Sequence, residues 1–179
     1  MDLTFTRFDA AQAEELAAFL ASETWPFHSG GGSDREEVLR RVAEGRFDDV
    51  STRCYWVGLA GERAGFLRIF DLEDETPLFD LRIRERLRGR GVGTRTVAWM
   101  VDHVFAEWPH VTRIEAHTRQ DNVAMRRTLL RTGFLKEAHH RQAWPGPDRV
   151  HDSVGYGILR SDRELGTLTP VDWEDEPTG

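Results

Sequence analysis

The spacing of apolar positions along this chain changes period repeatedly, and each change marks an element. Leu3, Phe5 and Phe8 stand among polar neighbours, which predicts a short first strand. Asp9 follows as a cap for a helix carrying Leu16, Phe19 and Leu20 at helical spacing. The segment 25–34, W-P-F-H-S-G-G-G-S-D, predicts a mobile loop because of its glycine triplet. Ser33 or Asp34 then caps a second helix, with Val38, Leu39 and Val42 inward and Gly45 at its end. Residues 55–59 and 63–70 read as an antiparallel hairpin around Ala60-Gly61-Glu62. An acidic turn over 72–77 leads to a strand over 78–83. A long helix, roughly 92–107, buries Val97, Met100, Val101, Val104 and Phe105, and Trp108-Pro109 stops it. A strand over 112–118 precedes a helix capped by Asp121 or Asn122 and closed by Gly133. Residues 134–144 and 150–159 form a last strand pair joined by P-G-P-D. The expected fold is an α/β chain with a mixed sheet, not a regular β-α-β-α alternation.

Composition sets outer bounds. At 179 residues and 39% hydrophobic, the chain suits one compact domain with a real core. A single domain over 1–165 is expected, followed by an acidic tail over 166–179 in which Trp173 could dock on the body. No run of about 18 apolar residues marks a membrane span. The N-terminal M-D-L-T-F-T-R lacks the basic-then-apolar order of a signal peptide, so a cytoplasmic protein is expected. The single cysteine, Cys54, sits in a strand pattern without an activating neighbour and reads as a buried residue. A net charge of −7 argues against a general nucleic-acid binder. It suits a cationic second substrate such as an amine, and equally a surface built for solubility.

One segment departs from that acidic balance. From Leu81 the chain reads L-R-I-R-E-R-L-R-G-R-G-V-G-T, with Arg82, Arg84, Arg86, Arg88, Arg90 and Arg95 in or beside it and Glu85 the only acid. Lys136 is the only lysine, so part of this arginine bias belongs to the whole chain. Gly89, Gly91 and Gly93 let a backbone come close to a ligand. The helix that follows points unpaired N–H groups and its positive dipole end at the turn. An anionic, phosphorylated ligand is the simplest reason for the arrangement, with a tight turn and solvated charges as the plain alternative. The spacing does not supply the G-x-G-x-x-G of a dinucleotide fold.

These residues resemble the GCN5-related N-acetyltransferase (GNAT) family. R-G-R-G-V-G, from Arg88 to Gly93, matches that family's acetyl-CoA signature and is followed by its long helix. N-V-A-M-R-R-T-L-L-R-T-G-F, from Asn122 to Phe134, is similar to the family's Asn-led helix closing in Gly-Phe. H-D-S-V-G-Y-G-I-L-R, from His151 to Arg160, is similar to the last strand of the ribosomal-protein N-terminal acetyltransferase branch (RimJ/RimL-like). The resemblance implies a mixed, mostly antiparallel sheet of about seven strands, parted between the fourth and fifth and flanked by about four helices. It implies acetyl-CoA as co-substrate, with no metal. Ile83, Arg84 and Glu85 would offer backbone groups to the pantetheine arm. Arg88, Gly89, Arg90, Gly91, Val92, Gly93 and Thr94 would wrap the pyrophosphate. Asn122 would hold the arm or the neighbouring strand, and Arg127 would reach the CoA end of the groove. Dimers are common in the family, and the sequence leaves the oligomeric state open.

Acetyl transfer needs a base for the acceptor amine, since an alkylammonium titrates near pH 10. Glu115 and Asp80 are the candidates, each an acid interrupting an apolar strand beside the expected acyl site. Glu73, Asp74 and Glu75 could attract a cationic amine. Trp25, Phe27 and His28 are the candidate acceptor site, an aromatic wall with one titratable group; the alternative is an aromatic anchor in the core. The sequence departs from the family at the thiolate's proton donor. Leu129 stands where many members have Tyr, and Met125 where the related branch often has Ser. Tyr156 could substitute. His139 and His140, adjacent on a strand, face opposite sides and do not make a metal pair. His103 and His117 read as structural. The expected activity is direct attack of a primary amine, a protein N-terminus or a small molecule, on acetyl-CoA in a ternary complex. The alternative is a catalytically silent module that binds CoA or acyl-CoA.

Overall fold

The computed structural model describes residues 2–28, 34–146 and 148–174. The glycine triplet, Ser33 and Pro147 of the last turn lie outside the described residues. Seven strands form one sheet in the order β1-β2-β3-β4-β5-β7-β6. In chain order these are β1 (Leu3–Arg7), β2 (Arg53–Leu59), β3 (Glu62–Phe70), β4 (Leu78–Ile83), β5 (Arg113–Arg119), β6 (Leu135–Pro145) and β7 (Val150–Leu159). All neighbours run antiparallel except β4 and β5. Among the described residues the α-helices are α1 (Ala13–Ala21), α2 (Arg35–Ala43), α3 (Val92–Glu107), α4 (Val123–Arg131) and α5 (Arg160–Leu165).

Alternation along the strands builds two cores, one on each face of the sheet. Cys54, Trp56 and Phe66 point to the side of α1 and α2, where they pack with Phe8, Leu16, Phe19, Trp25, Val38 and Phe47. Tyr55, Val57, Leu67, Ile69 and Ile114 point to the other side, against Val97, Met100, Val101 and Val104 of α3 and Leu129 of α4. The stripe read from the sequence of α3 is the stripe that is buried. Cys54 is 1% exposed, and burial pushes its thiol well above the ordinary value. None of the described helices is long and apolar enough to cross a membrane.

Several elements differ from the sequence expectation. Asp9 caps a single 3-10 turn, Ala10–Gln12, through a reciprocal box with Gln12, and α1 begins only after it. Asp34 is the N-cap of α2 but makes no side-chain capping bond. A short helix, α5, follows β7 and was not legible as one. The segment beyond it is tied down at first: the Asp162 carboxylate accepts hydrogen bonds from Thr167 and from both the backbone and hydroxyl of Thr169. Trp173 remains 56% exposed, with the Lys136 ammonium 5.5 Å from its ring centre.

What positions the site is the junction of β4 and β5. One register pair joins them, Leu78 with Glu115, and the Glu115 N–H donates to the Pro77 carbonyl at 3.0 Å. Beyond that pair the strands part. The order on either side is otherwise a continuous antiparallel ladder, so the sheet has an opening in its middle.

Candidate active site

The opening is flanked by two cavities that share part of their walls. The first, about 350 Å³, lies toward α3 and α4 and is lined by Leu81, Ile83, Arg88, Gly89, Gly91, Gly93, Thr94, Ala124, Arg127, Thr128 and Arg131. The second, about 420 Å³, lies toward α1 and α2 and is lined by Arg41, Phe47, Phe66, Arg68, Phe70, Leu78, Phe79, Asp80, Arg82, His117 and Trp144. Phe27, His28, Leu81, Asn122 and Met125 line both.

The first cavity has the chemistry of an anion site at one end. Gly89 and Gly91 sit at φ of +72° and +78°, the left-handed region that favours glycine. Gly91 is the N-cap of α3 and leaves the helix start without a side-chain cap. Those first N–H groups are therefore available, and the helix dipole adds to them. Gly93 has ordinary helical geometry instead; its missing side chain keeps the wall open beside Thr128. Arg88, Arg127 and Arg131 surround the turn, while Leu81, Ile83 and Met125 make the wall apolar toward the sheet opening. This donor set fits a diphosphate followed by an extended, amide-rich arm.

The other residues of the expected cofactor set play supporting parts. The Arg84 guanidinium donates to the Arg63 carbonyl and to the Ser22 hydroxyl, and lies 4.7 Å from the Phe19 ring centre. The Glu85 N–H donates to the Glu23 carboxylate at 2.7 Å, so it is not free for a ligand. Arg88 donates from Nε to the Ile83 carbonyl. Val92 is buried under the turn, and Arg90 lies outside the cavity lining. Glu23, absent from the sequence reading, lies 3.5 Å from Arg84 and 3.9 Å from Arg88 and so holds this turn together from below. Thr128 and Arg131 were missed as well: they come one helical turn after Ala124 and Arg127, a period that could have shown them.

Asn122 is both cap and clasp. Its side-chain oxygen accepts from the Met125 N–H at 3.2 Å, and its amide donates to the Thr118 hydroxyl at 3.0 Å. That fixes α4 to β5 at the edge of the opening. The 25–28 segment is held from the same side: Arg119 donates to the Pro26 carbonyl and its guanidinium lies 4.9 Å from the Phe27 ring centre. Trp25 is 2% exposed, with its indole N–H on the Leu20 carbonyl, so it is a core anchor whose edge reaches the first cavity.

The two acids separate clearly. Asp80 lines the second cavity, and its carboxylate receives His28 Nε2 at 2.8 Å, with Arg82 Nε at 3.5 Å. Burial raises its carboxyl, but the His28 hydrogen bond and the charges of His28, Arg82 and Arg68 outweigh that and hold it below the ordinary value. Glu115 lines neither cavity. Its carboxylate is committed to Arg113, which also binds Glu137, and His117 Nε2 lies 3.5 Å away. Burial is again the largest single influence and works upward, but Arg113 and His117 together outweigh it and hold the Glu115 carboxyl below its ordinary value. The sequence reading put Glu115 beside the acyl site; the structure leaves its carboxylate on Arg113 and outside both cavity linings, although it shares its strand face with His117. His117, read as structural, is instead part of the second cavity wall. Tyr156 is buried, receives Arg126 Nε at 3.1 Å and lines neither cavity. Leu129 is in the core, and Met125 lies at the junction of the two cavities. His139 pairs with Asp152 at 2.8 Å, while the His140 ring lies 5.9 Å from His117, as alternation requires. Among the described residues no cluster of three or more His, Cys, Asp or Glu suits a metal ion.

Known proteins match this architecture. A chimera of the Vibrio cholerae spermidine N-acetyltransferase SpeG and hSSAT is 17% identical, with 90% of this chain and 98% of that one covered at a TM-score of 0.80. The V. cholerae spermidine N-acetyltransferase in complex with CoA and spermine is 16% identical over 89% of this chain and 96% of its own, at 0.76. RimL, a ribosomal L7/L12 α-N-protein acetyltransferase in complex with coenzyme A, is 18% identical over 88% and 93%, also at 0.76. No curated protein sequence matches the chain. At these identities the likeness is one of fold. The family model for the acetyltransferase (GNAT) domain matches residues 2–135, which takes in the two-helix face, the glycine turn, α3 and α4. With that match spanning most of the chain, and with the parted sheet behind it, this protein belongs to the GNAT acetyltransferase family.

Proposed function

We propose that this chain transfers the acetyl group of acetyl-CoA to a primary amine, a protein N-terminus or a small molecule, while both are bound. Acetyl-CoA would supply an activated acyl group as a thioester. The first cavity fits its diphosphate at Gly89, Gly91 and the start of α3, and its extended arm along the parted edge of β4, where an amide-rich chain can pair as a strand would. The amine would enter from the second cavity, so that the two meet where Phe27, His28, Leu81, Asn122 and Met125 line both.

The observation that carries this reading is the Asp80–His28 pair at that junction. An ionised Asp80 can only accept, so the proton between them belongs to His28 Nε2, an assignment made from the hydrogen-bond network. In the neutral ring the lone pair then lies on His28 Nδ1, a buried atom without a hydrogen-bond partner among the described residues. His28 would take the proton of the attacking amine, and Asp80 would hold the ring in the needed tautomer and offset the charge it gains. Asp80 thus acts through His28. Among the described residues no Tyr or Ser at Leu129 or Met125 serves the departing sulfur. A thiolate is a good enough leaving group for the step to go on without one. Cys54, sealed in the core, offers no nucleophile for a covalent relay.

Acetyl-CoA titrated into the protein is expected to raise the melting temperature, and amines are expected to release free thiol in its presence. Binding without thiol release across an amine panel would instead support a silent CoA-binding module. Stabilisation by ATP or NAD and none by CoA would end both readings.

A further inference from the structure

The second cavity is charged in the wrong sense for a polyamine. Among the described residues its lining holds three arginines, Arg41, Arg68 and Arg82, against one carboxylate, Asp80, which is already engaged by His28 and lies 3.5 Å from Arg82. Arg41 and Arg68 have no carboxylate partner within 4.0 Å among the described residues. Arg68 is the register partner of Asp80 across β3 and β4, yet its guanidinium turns aside and lies 5.1 Å from the Phe70 ring centre and 5.7 Å from that of Phe47.

The unmet hydrogen bonds concentrate in the same place. Among the described residues three buried side-chain atoms lack a hydrogen-bond partner: His28 Nδ1, Arg68 Nε and Arg82 Nε, the last with only the Asp80 carboxylate 3.5 Å away. All three residues line this cavity. Buried polar groups are normally satisfied, so an orphaned donor facing a cavity calls for an acceptor there. The two arginine nitrogens are donors and need an acceptor. An ammonium group has none to give. A carboxylate has nothing but acceptors and matches a guanidinium fork.

We infer that the acceptor is a primary amine carrying a carboxylate. Its amine lies toward His28 and Asp80, and its carboxylate is held by Arg68 and Arg82 with Arg41 at the rim. The inference rests on the acetyltransferase reading and names the substrate class of that site. Two sources share this chemistry: a free acidic amino acid, and a protein N-terminus followed by acidic residues. The negative charge of the whole molecule does not decide the matter, because a cleft focuses the field of its own lining.

The test uses the full chain saturated with CoA and product-like probes measured by calorimetry. CoA affinity is measured first; if CoA does not bind, the acetyltransferase reading falls and this inference with it. With CoA bound, N-acetyl-L-glutamate is expected to bind at least tenfold more tightly than its uncharged diamide. An N-acetyl tripeptide with Asp at its second and third positions forms the other arm, and the tighter of the two names the source. Arg68→Met is expected to reduce the preference to less than threefold while CoA affinity stays the same. Equal binding of acid and diamide, binding of neither, or tighter binding of N-acetylspermidine would overturn the inference while leaving CoA binding intact. The comparison of probes on the unaltered protein stands even if the variant fails to fold.

Discussion

Residue by residue, the chemistry of this protein comes down to which side chains border the opening and which are engaged elsewhere. Asp80 and Glu115 looked equivalent in the sequence, each an acid in an apolar strand. Asp80 lines the second cavity and meets His28, whereas Glu115, on the same side of the sheet as His117, pairs with Arg113 and lies outside the lining. That each acid lies in a strand was legible; which of them would border the cavity was not, because that depends on how β4 and β5 diverge. His28→Gln is expected to lower kcat/KM for the amine by about 10²- to 10⁴-fold, the usual worth of a positioned base, measured by thiol release. Asp80→Asn should act in the same direction by a smaller margin and should leave CoA affinity unchanged, since Asp80 does not line the CoA cavity. A second histidine carries a stability effect. His103 is stacked on Trp99 with its Nε2 2.7 Å from the Tyr55 hydroxyl, and burial holds it below its ordinary value of 6.5. The unfolded chain therefore binds this proton more readily than the folded one. Stability should be full above pH 6.5 and fall as the pH drops from there toward the folded-state value. Urea titrations at pH 7 and pH 5 check this, and His103→Gln should flatten the difference.

At the scale of elements, caps and turns decide the geometry. Gly91 joins the glycine turn to α3 in a left-handed conformation, so Gly91→Ala should cost about 1–2 kcal/mol of stability and weaken CoA binding, read by urea titration and calorimetry. Asn122 joins α4 to β5, and Asn122→Ala should cost about 1 kcal/mol through the cap alone. Arg160 is a larger case. Its guanidinium donates to the carbonyls of Phe105, Val111 and Trp108 at 2.7–2.8 Å, which ties the end of α3 to the approach to β5. Arg160→Lys cannot reproduce three directed bonds, and a loss of about 2–4 kcal/mol is expected in denaturant titration. The sequence offered Arg160 only as the end of a family pattern. Its acceptors are backbone carbonyls 49 to 55 residues earlier in the chain, which no local pattern encodes.

For the molecule as a whole, the strands and the four longer helices were readable because their periods are strong and their punctuation is clear. The short α5 was missed because one and a half turns give too little periodicity, and it follows β7 without a turn signal. The second cavity was also hidden: Arg41, Arg68 and Arg82 come from α2, β3 and β4, and only the assembled fold brings them to one wall. The opening between β4 and β5 has a cost of its own. A sheet interior normally shields its amides, but past the Leu78–Glu115 pair this one has an inward-facing margin. With nothing lodged there, deuterium should enter the later residues of β4 far faster than the neighbouring β3. An extended guest would act as a temporary eighth rung and close that leak.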